Sequence, residues 1–139
     1  MDEHALARVP RLRILIADDH PVIRKIVRAT LERHPHFHVC GEAMDGGQAV
    51  EKAREIKPDV VVLNVTMPVL NGFEAAREIK KHVPETAIVI LSSHADRHFL
   101  EVAKTMGVRA YLPKSKVSEA LVKAVEAAGD GEDFFILEE

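Results

Sequence analysis

Five polar positions stand directly after apolar runs in this chain: Asp18 and Asp19 after Leu12–Ala17, Asn64 after Val60–Leu63, Ser92 after Ala87–Leu91, and Lys114 just past Val108–Leu112. Two adjacent carboxylates, joined by further oxygen ligands, suit a hard cation such as Mg²⁺, which keeps several of its waters. A hydroxyl and an ammonium opposite them suit a phosphoryl group or another small anion. Taken singly, each residue has a plainer reading. Asp-Asp can be a loop or a helix cap, Asn64 a turn residue, Ser92 a cap, and Lys114 a solvated surface cation. The joint pattern carries the weight, provided the fold brings these run ends together.

Alternation of segments says that it does. Leu12–Ala17 is a short, partly β-branched apolar run that reads as a buried strand. Pro21 suits the first turn of a following helix, where its missing N–H costs nothing. Val22, Ile26, Val27 and Leu31 recur there at helical spacing. Phe37–Met44 reads as a second strand, Asp45-Gly46-Gly47 as a turn, and residues 48–57 as a helix with Ala49, Val50, Ala53 and Ile56 inward. Val60–Leu63 is apolar on successive residues, the mark of a central parallel strand covered on both faces. A loop with Met67-Pro68 leads to a helix opened by Gly72 and running over Phe73–His82, with Phe73, Ala76, Ile79 and Val83 inward. Ala87–Leu91 is the fourth strand. Asp96 is placed to cap a fourth helix that runs to Met106 and closes at Gly107. Val108–Leu112 is the last strand, and Ser118 with Glu119 starts a helix ending near Gly129. About five strand-helix units in strict alternation imply an α/β fold, a parallel sheet with helices on both faces. Right-handed crossovers leave few topologies, and ligands of such sheets bind outside the carboxyl ends of the strands.

The length of 139 residues fits one domain, and 47% apolar residues are enough for a core. Residues 1–10 read as a flexible leader with no apolar stretch of a secretory signal. The acidic, Phe-containing tail 130–139 reads as a short extension or the start of a linker. No apolar run approaches the roughly 20 residues of a membrane span. A net charge of −3 offers no electrostatic case for nucleic acid. The single Cys40 cannot form an internal disulfide, which fits a reducing cytoplasm, and it reads as an inert core thiol. His34, His36 and His38 alternate as a metal site would, yet no Cys or carboxylate completes them, so they read as solvated. Arg24, Lys25 and Arg28 read as a solvated helix face, or as a docking face for an acidic partner.

Ile14–Pro21, Pro58–Pro68, Asn71-Gly72 and Tyr111–Lys114 together resemble the response regulator receiver domain, over roughly residues 11–129. Ala17–Pro21 and Gly41-Glu42-Ala43 are most similar to receivers of the NarL/LuxR class. The resemblance implies a flavodoxin-like (βα)5 doubly wound parallel sheet of strand order 2-1-3-4-5. It implies that Asp18 and Asp19 hold Mg²⁺, with the Thr66 carbonyl and the residue at Asn64 as further ligands. It makes Ser92 the hydroxyl that shifts toward a phosphoryl group, Tyr111 the aromatic switch, and Lys114 the phosphoryl-pairing lysine. Without the resemblance, Tyr111 reads as a half-buried strand-end aromatic.

One position departs from the family pattern. The acceptor is an aspartate in that family, and here it is Asn64. An amide is neutral and a far weaker nucleophile than a carboxylate, so the resemblance implies weakened Mg²⁺ binding and no ordinary phosphorylation. Two origins fit: a natural receiver that signals without phosphate, and a working receiver carrying an Asp-to-Asn change. The implied function is a two-component switch module, not an enzyme. Its partners would be a histidine kinase or phosphotransfer protein and a second copy of itself. A DNA-binding output domain would belong to a longer parent, with no nucleic-acid contact from this chain itself. Arg97, His98, Glu101, Lys104, Arg109 and Lys123 are candidate exposed residues of the output face. The other readings are a phosphorylation-independent interaction module, a Mg²⁺-dependent phosphoryl-transfer hydrolase with Asp18 as nucleophile, and a flavodoxin-like nucleotide binder. The last two lack an Asp-x-Asp spacing and a Gly-rich phosphate loop, respectively.

Overall fold

The computed structural model describes residues 11–93 and 97–137. The expected leader over residues 1–10, the expected cap Asp96, and the end of the tail at Glu138 and Glu139 lie outside them. Among the described residues, six strands form one parallel sheet: β1 (Leu12–Ala17), β2 (Phe37–Ala43), β3 (Val60–Asn64), β4 (Ala87–Ser92), β5 (Ala110–Pro113) and β6 (Phe134–Phe135). Their order is β2-β1-β3-β4-β5-β6. Five helices connect them: α1 (Pro21–Glu32), α2 (Gly46–Ile56), α3 (Gly72–His82), α4 (Arg97–Thr105) and α5 (Val117–Gly129), the last preceded by a 3-10 turn over Lys114–Lys116.

Period-two alternation along the central strands divides the core. Ile14, Ile16, Val60 and Val62 point to the face covered by α1 and α5, while Leu15, Ala17, Val61 and Leu63 point to the face covered by α2, α3 and α4. Both faces exclude water, which is why these strands are apolar on every residue. Helix starts follow local chemistry. Asp45 accepts a hydrogen bond from the Gln48 N–H at 2.8 Å and caps α2. Asn71 and Glu74 form a reciprocal capping box at the start of α3.

Several expectations are corrected here. Gly46 and Gly47 open α2 rather than forming a free turn. Gly46 lies so close to the Leu70 backbone that a Cβ would collide with it. In α1 the packed stripe is Ile23, Val27, Thr30 and Leu31, whereas Val22 and Ile26 are exposed. Arg24 and Arg28 are half-buried rather than solvated, because Glu42 of β2 pairs with both, at 3.2 and 2.5 Å; Lys25 is exposed. These arginines hold the Glu42 carboxyl below its ordinary range, the Arg28 hydrogen bond being the main cause. Cys40 is half-buried at a register shift between β1 and β2, and its thiol donates to the Ile14 carbonyl at 3.4 Å. Burial pushes that thiol's pKa up. The tail docks: Phe134–Phe135 pairs with β5 and extends the expected five-strand order by one.

Candidate functional site

Register sets which run ends meet. Ala17 pairs with Leu63 and Asn64 with Leu91, so Asp18 and Asn64 emerge side by side at the switch point where β1 and β3 adjoin. Ser92 pairs with Pro113, which puts Ser92 and Lys114 at the same end of the sheet. The loop after β3 is held tight there. The Gly72 N–H donates to the Val65 carbonyl at 2.6 Å, and a Cβ at Gly72 would lie 2.8 Å from the Val65 Cα. Glycine at this position is what lets α3 start against the backbone that carries Asn64.

Asp18, Asn64 and Ser92 are buried polar residues, and Asp19 is half-buried. The Asn64 amide nitrogen donates to the Thr66 carbonyl at 2.7 Å and approaches Asp18 Oδ1 and Asp19 Oδ1, each at 3.4 Å. The Lys114 ammonium lies 3.3 Å from Asp18 Oδ2. That separation is within ion-pair range, yet Asp18 Oδ2 has no hydrogen-bond partner among the described residues although it is fully enclosed. A buried carboxylate oxygen without a hydrogen bond is costly, and it is the kind of atom a bound cation would satisfy. Arg24 donates to the Asp18 carbonyl at 2.8 Å and ties α1 to the same loop. Tyr111 is fully buried among the residues facing α2, α3 and α4, and is not the half-exposed aromatic that a strand end suggests.

His20 is the site residue that the sequence reading left without a role. Its Nδ1 lies 3.2 Å from Asp18 Oδ1 and 3.1 Å from Asp19 Oδ1. Asp18, Asp19 and His20 form the one group among the described residues whose ligand atoms come close enough to hold a metal. Its signal was the bare adjacency of the imidazole to the acid pair. His34, His36 and His38 form no such group. His34 stacks on Phe37 with ring centres 4.0 Å apart, and its Nδ1 accepts from the His36 N–H at 3.2 Å.

Residues 14–126 match the family model of the response regulator receiver domain. The chain belongs to that family. Among curated relatives, the transcriptional regulatory protein DegU of Brevibacillus brevis is 33% identical over 87% of this chain and 51% of its own length. The transcriptional regulatory protein LiaR of Bacillus subtilis is 33% identical over 87% of this chain and 57% of its own. This receiver therefore spans about half the length of the curated relatives it matches. Of solved structures, a LuxR-family two-component response regulator from Aurantimonas superposes with a TM-score of 0.85. It is 36% identical over 89% of each chain. The signal receiver domain of the putative response regulator NarL from Mycobacterium tuberculosis gives 0.84 at 29% identity, over 88% of this chain and 99% of its own. The receiver carries a NarL/LuxR-type CheY-like fold, with an Asp-Asp-His cluster at the carboxyl end of its sheet. Arg97, His98, Glu101, Lys104, Arg109 and Lys123 are all exposed. No helix among the described residues is long and apolar enough to cross a membrane.

Proposed function

We propose that this receiver is a switch module of a two-component phosphorelay whose phosphoacceptor position holds Asn64, so that the site receives no phosphoryl group. The observation that carries the reading is the placement of Asn64, buried at the end of β3 with its side chain against Asp18, Asp19 and the Thr66 carbonyl. A carboxylate there would attack phosphorus as an anion and release the donor's leaving group. The Asn64 nitrogen lone pair is delocalised into its carbonyl, and the group carries no charge. With an aspartate at position 64, Lys114 would pair with phosphoryl oxygens, Ser92 would hydrogen-bond to them, and Tyr111 would change packing with the state of the site.

Mg²⁺ fits the donor set of Asp18, Asp19 and the Thr66 carbonyl, because hard oxygen ligands suit it and Asp18 Oδ2 has no hydrogen bond. Bound there, it would neutralise charge on a phosphoryl group. Asn64 removes one negative charge from that set, so binding is weaker than an aspartate would give. The partners in this reading are a histidine kinase or phosphotransfer protein and a second copy of the chain. Residues 11–129 would be the receiver of a longer cytoplasmic regulator, with a DNA-binding output domain as in the relatives whose names call them transcriptional. With the acceptor absent, phosphate no longer biases the two-state equilibrium on which such a module depends.

Intact mass after incubation with Mg²⁺ and a small acyl-phosphate donor tests this. The expected result is one added phosphoryl group on Asn64→Asp and none on the parent chain. A phosphorylated parent overturns the reading, and an unmodified Asn64→Asp moves the defect beyond Asn64.

A further inference from the structure

We infer that the Asn64 amide nitrogen is the resident occupant of the cation's place, a built-in hydrogen-bond donor that holds the acid pocket together without metal. This inference rests on the reading of Asn64 as the acceptor position. The three oxygens around the Asn64 nitrogen are the Thr66 carbonyl at 2.7 Å and the Asp18 and Asp19 Oδ1 atoms, each at 3.4 Å. Turning the carboxamide over would aim its oxygen at three acceptors, with no proton between any pair. The hydrogen-bond network therefore assigns the nitrogen to the pocket side.

Asp18, Asp19 and the Thr66 carbonyl are also the donor set a hard cation would take, at roughly 2.0–2.1 Å for Mg²⁺. An NH₂ group donating to them and a cation bound by them cannot share the space. The cation must first break the bond to Thr66 and turn the amide away. An aspartate at position 64 has no proton to give. It would add a third carboxylate to Asp18 and Asp19 and make the pocket depend on a cation. Asn64 thus does two separable things: it deletes the nucleophile, and it supplies a neutral substitute for the metal.

The second effect has its own measurement, made on the full chain by calorimetric titration with MgCl₂ and by thermal unfolding with and without it. The 2.7 Å bond to the Thr66 carbonyl together with two long contacts to the acids is worth about a tenfold shift in an equilibrium. Asn64→Ala, which loses an oxygen ligand as well as the donor, should nevertheless bind Mg²⁺ about tenfold tighter than the parent. Asn64→Asp should melt below the parent in chelator and recover on adding Mg²⁺, while the parent's melting temperature moves less at the same Mg²⁺ concentration. Equal or weaker Mg²⁺ binding by Asn64→Ala overturns the inference, as does an Asn64→Asp protein that is as stable as the parent in chelator. If Asn64→Ala does not fold, the parent's Asn64 side-chain amide protons decide. Protection from solvent exchange, lost only at saturating Mg²⁺, supports the inference, and free exchange overturns it. Phosphoryl uptake by the parent would instead sink the functional reading and leave the Mg²⁺ affinity order as predicted.

Discussion

The two ends of the sheet handle their polar side chains differently. At the amino end, polar side chains bond to backbone. Thr86 is buried and donates to the Pro58 carbonyl at 2.7 Å, the Asp59 carboxylate accepts the Arg13 N–H at 2.8 Å, and Lys80 donates to the Thr86 carbonyl at 2.9 Å. At the carboxyl end, side chains face one another. Asp18, Asp19, His20, Asn64 and Lys114 converge, the amide contacts to the acids are long at 3.4 Å, and one enclosed oxygen has no hydrogen bond among the described residues. Backbone partners are fixed by the fold, so the amino end is structural. Converging side chains with an acceptor to spare are free to take a ligand, which the proposed function makes Mg²⁺.

One pair of substitutions would break that contrast most plainly. Thr86→Val leaves the buried Pro58 carbonyl without its donor and should cost about 1–3 kcal/mol in urea unfolding. Asp18→Asn removes a buried charge with an unsatisfied oxygen, and that relief offsets part of the lost pairing with Lys114. It should cost less than Thr86→Val does while removing residual Mg²⁺ binding. Equal losses would mean that both ends are structural.

A smaller effect is expected where Arg24 and Arg28 meet Glu42. The Glu42 carboxyl is held below its ordinary value by the two arginines. A depressed carboxylate contributes stability that is present above the unfolded value, near 4.3, and lost as pH falls through the folded value. Stability should therefore decline below about pH 4.5, and Glu42→Gln should flatten that decline by about 0.5 kcal/mol, since the pair is partly solvated. An unchanged acid limb in Glu42→Gln would show that the network is fully screened.

Legibility in the sequence followed how local the deciding interaction is. Val60–Leu63 and Ala87–Leu91 declare buried central strands by themselves, and Asp18, Asn64, Ser92 and Lys114 stand out because each ends such a run. Helix α1 was ambiguous, because Val22 and Ile26 form an apolar stripe beside the packed one of Ile23, Val27 and Leu31. Periodicity cannot say which of two neighbouring stripes meets the sheet. The inward turn of Arg24 and Arg28 depends on Glu42, a partner on a different strand. Strand β6 is two residues long, too short for any alternation to show. The orientation of the Asn64 amide depends on three oxygens brought together by register and by a tight loop.

The central claim is that one side chain silences an otherwise complete receiver site. Calorimetric titration with beryllium fluoride and Mg²⁺ tests it most directly, because the trifluoride resembles a phosphoryl group and needs a carboxylate oxygen to complete it. The account predicts clear binding by Asn64→Asp and none by the parent chain. Binding by both, or by neither, would contradict it.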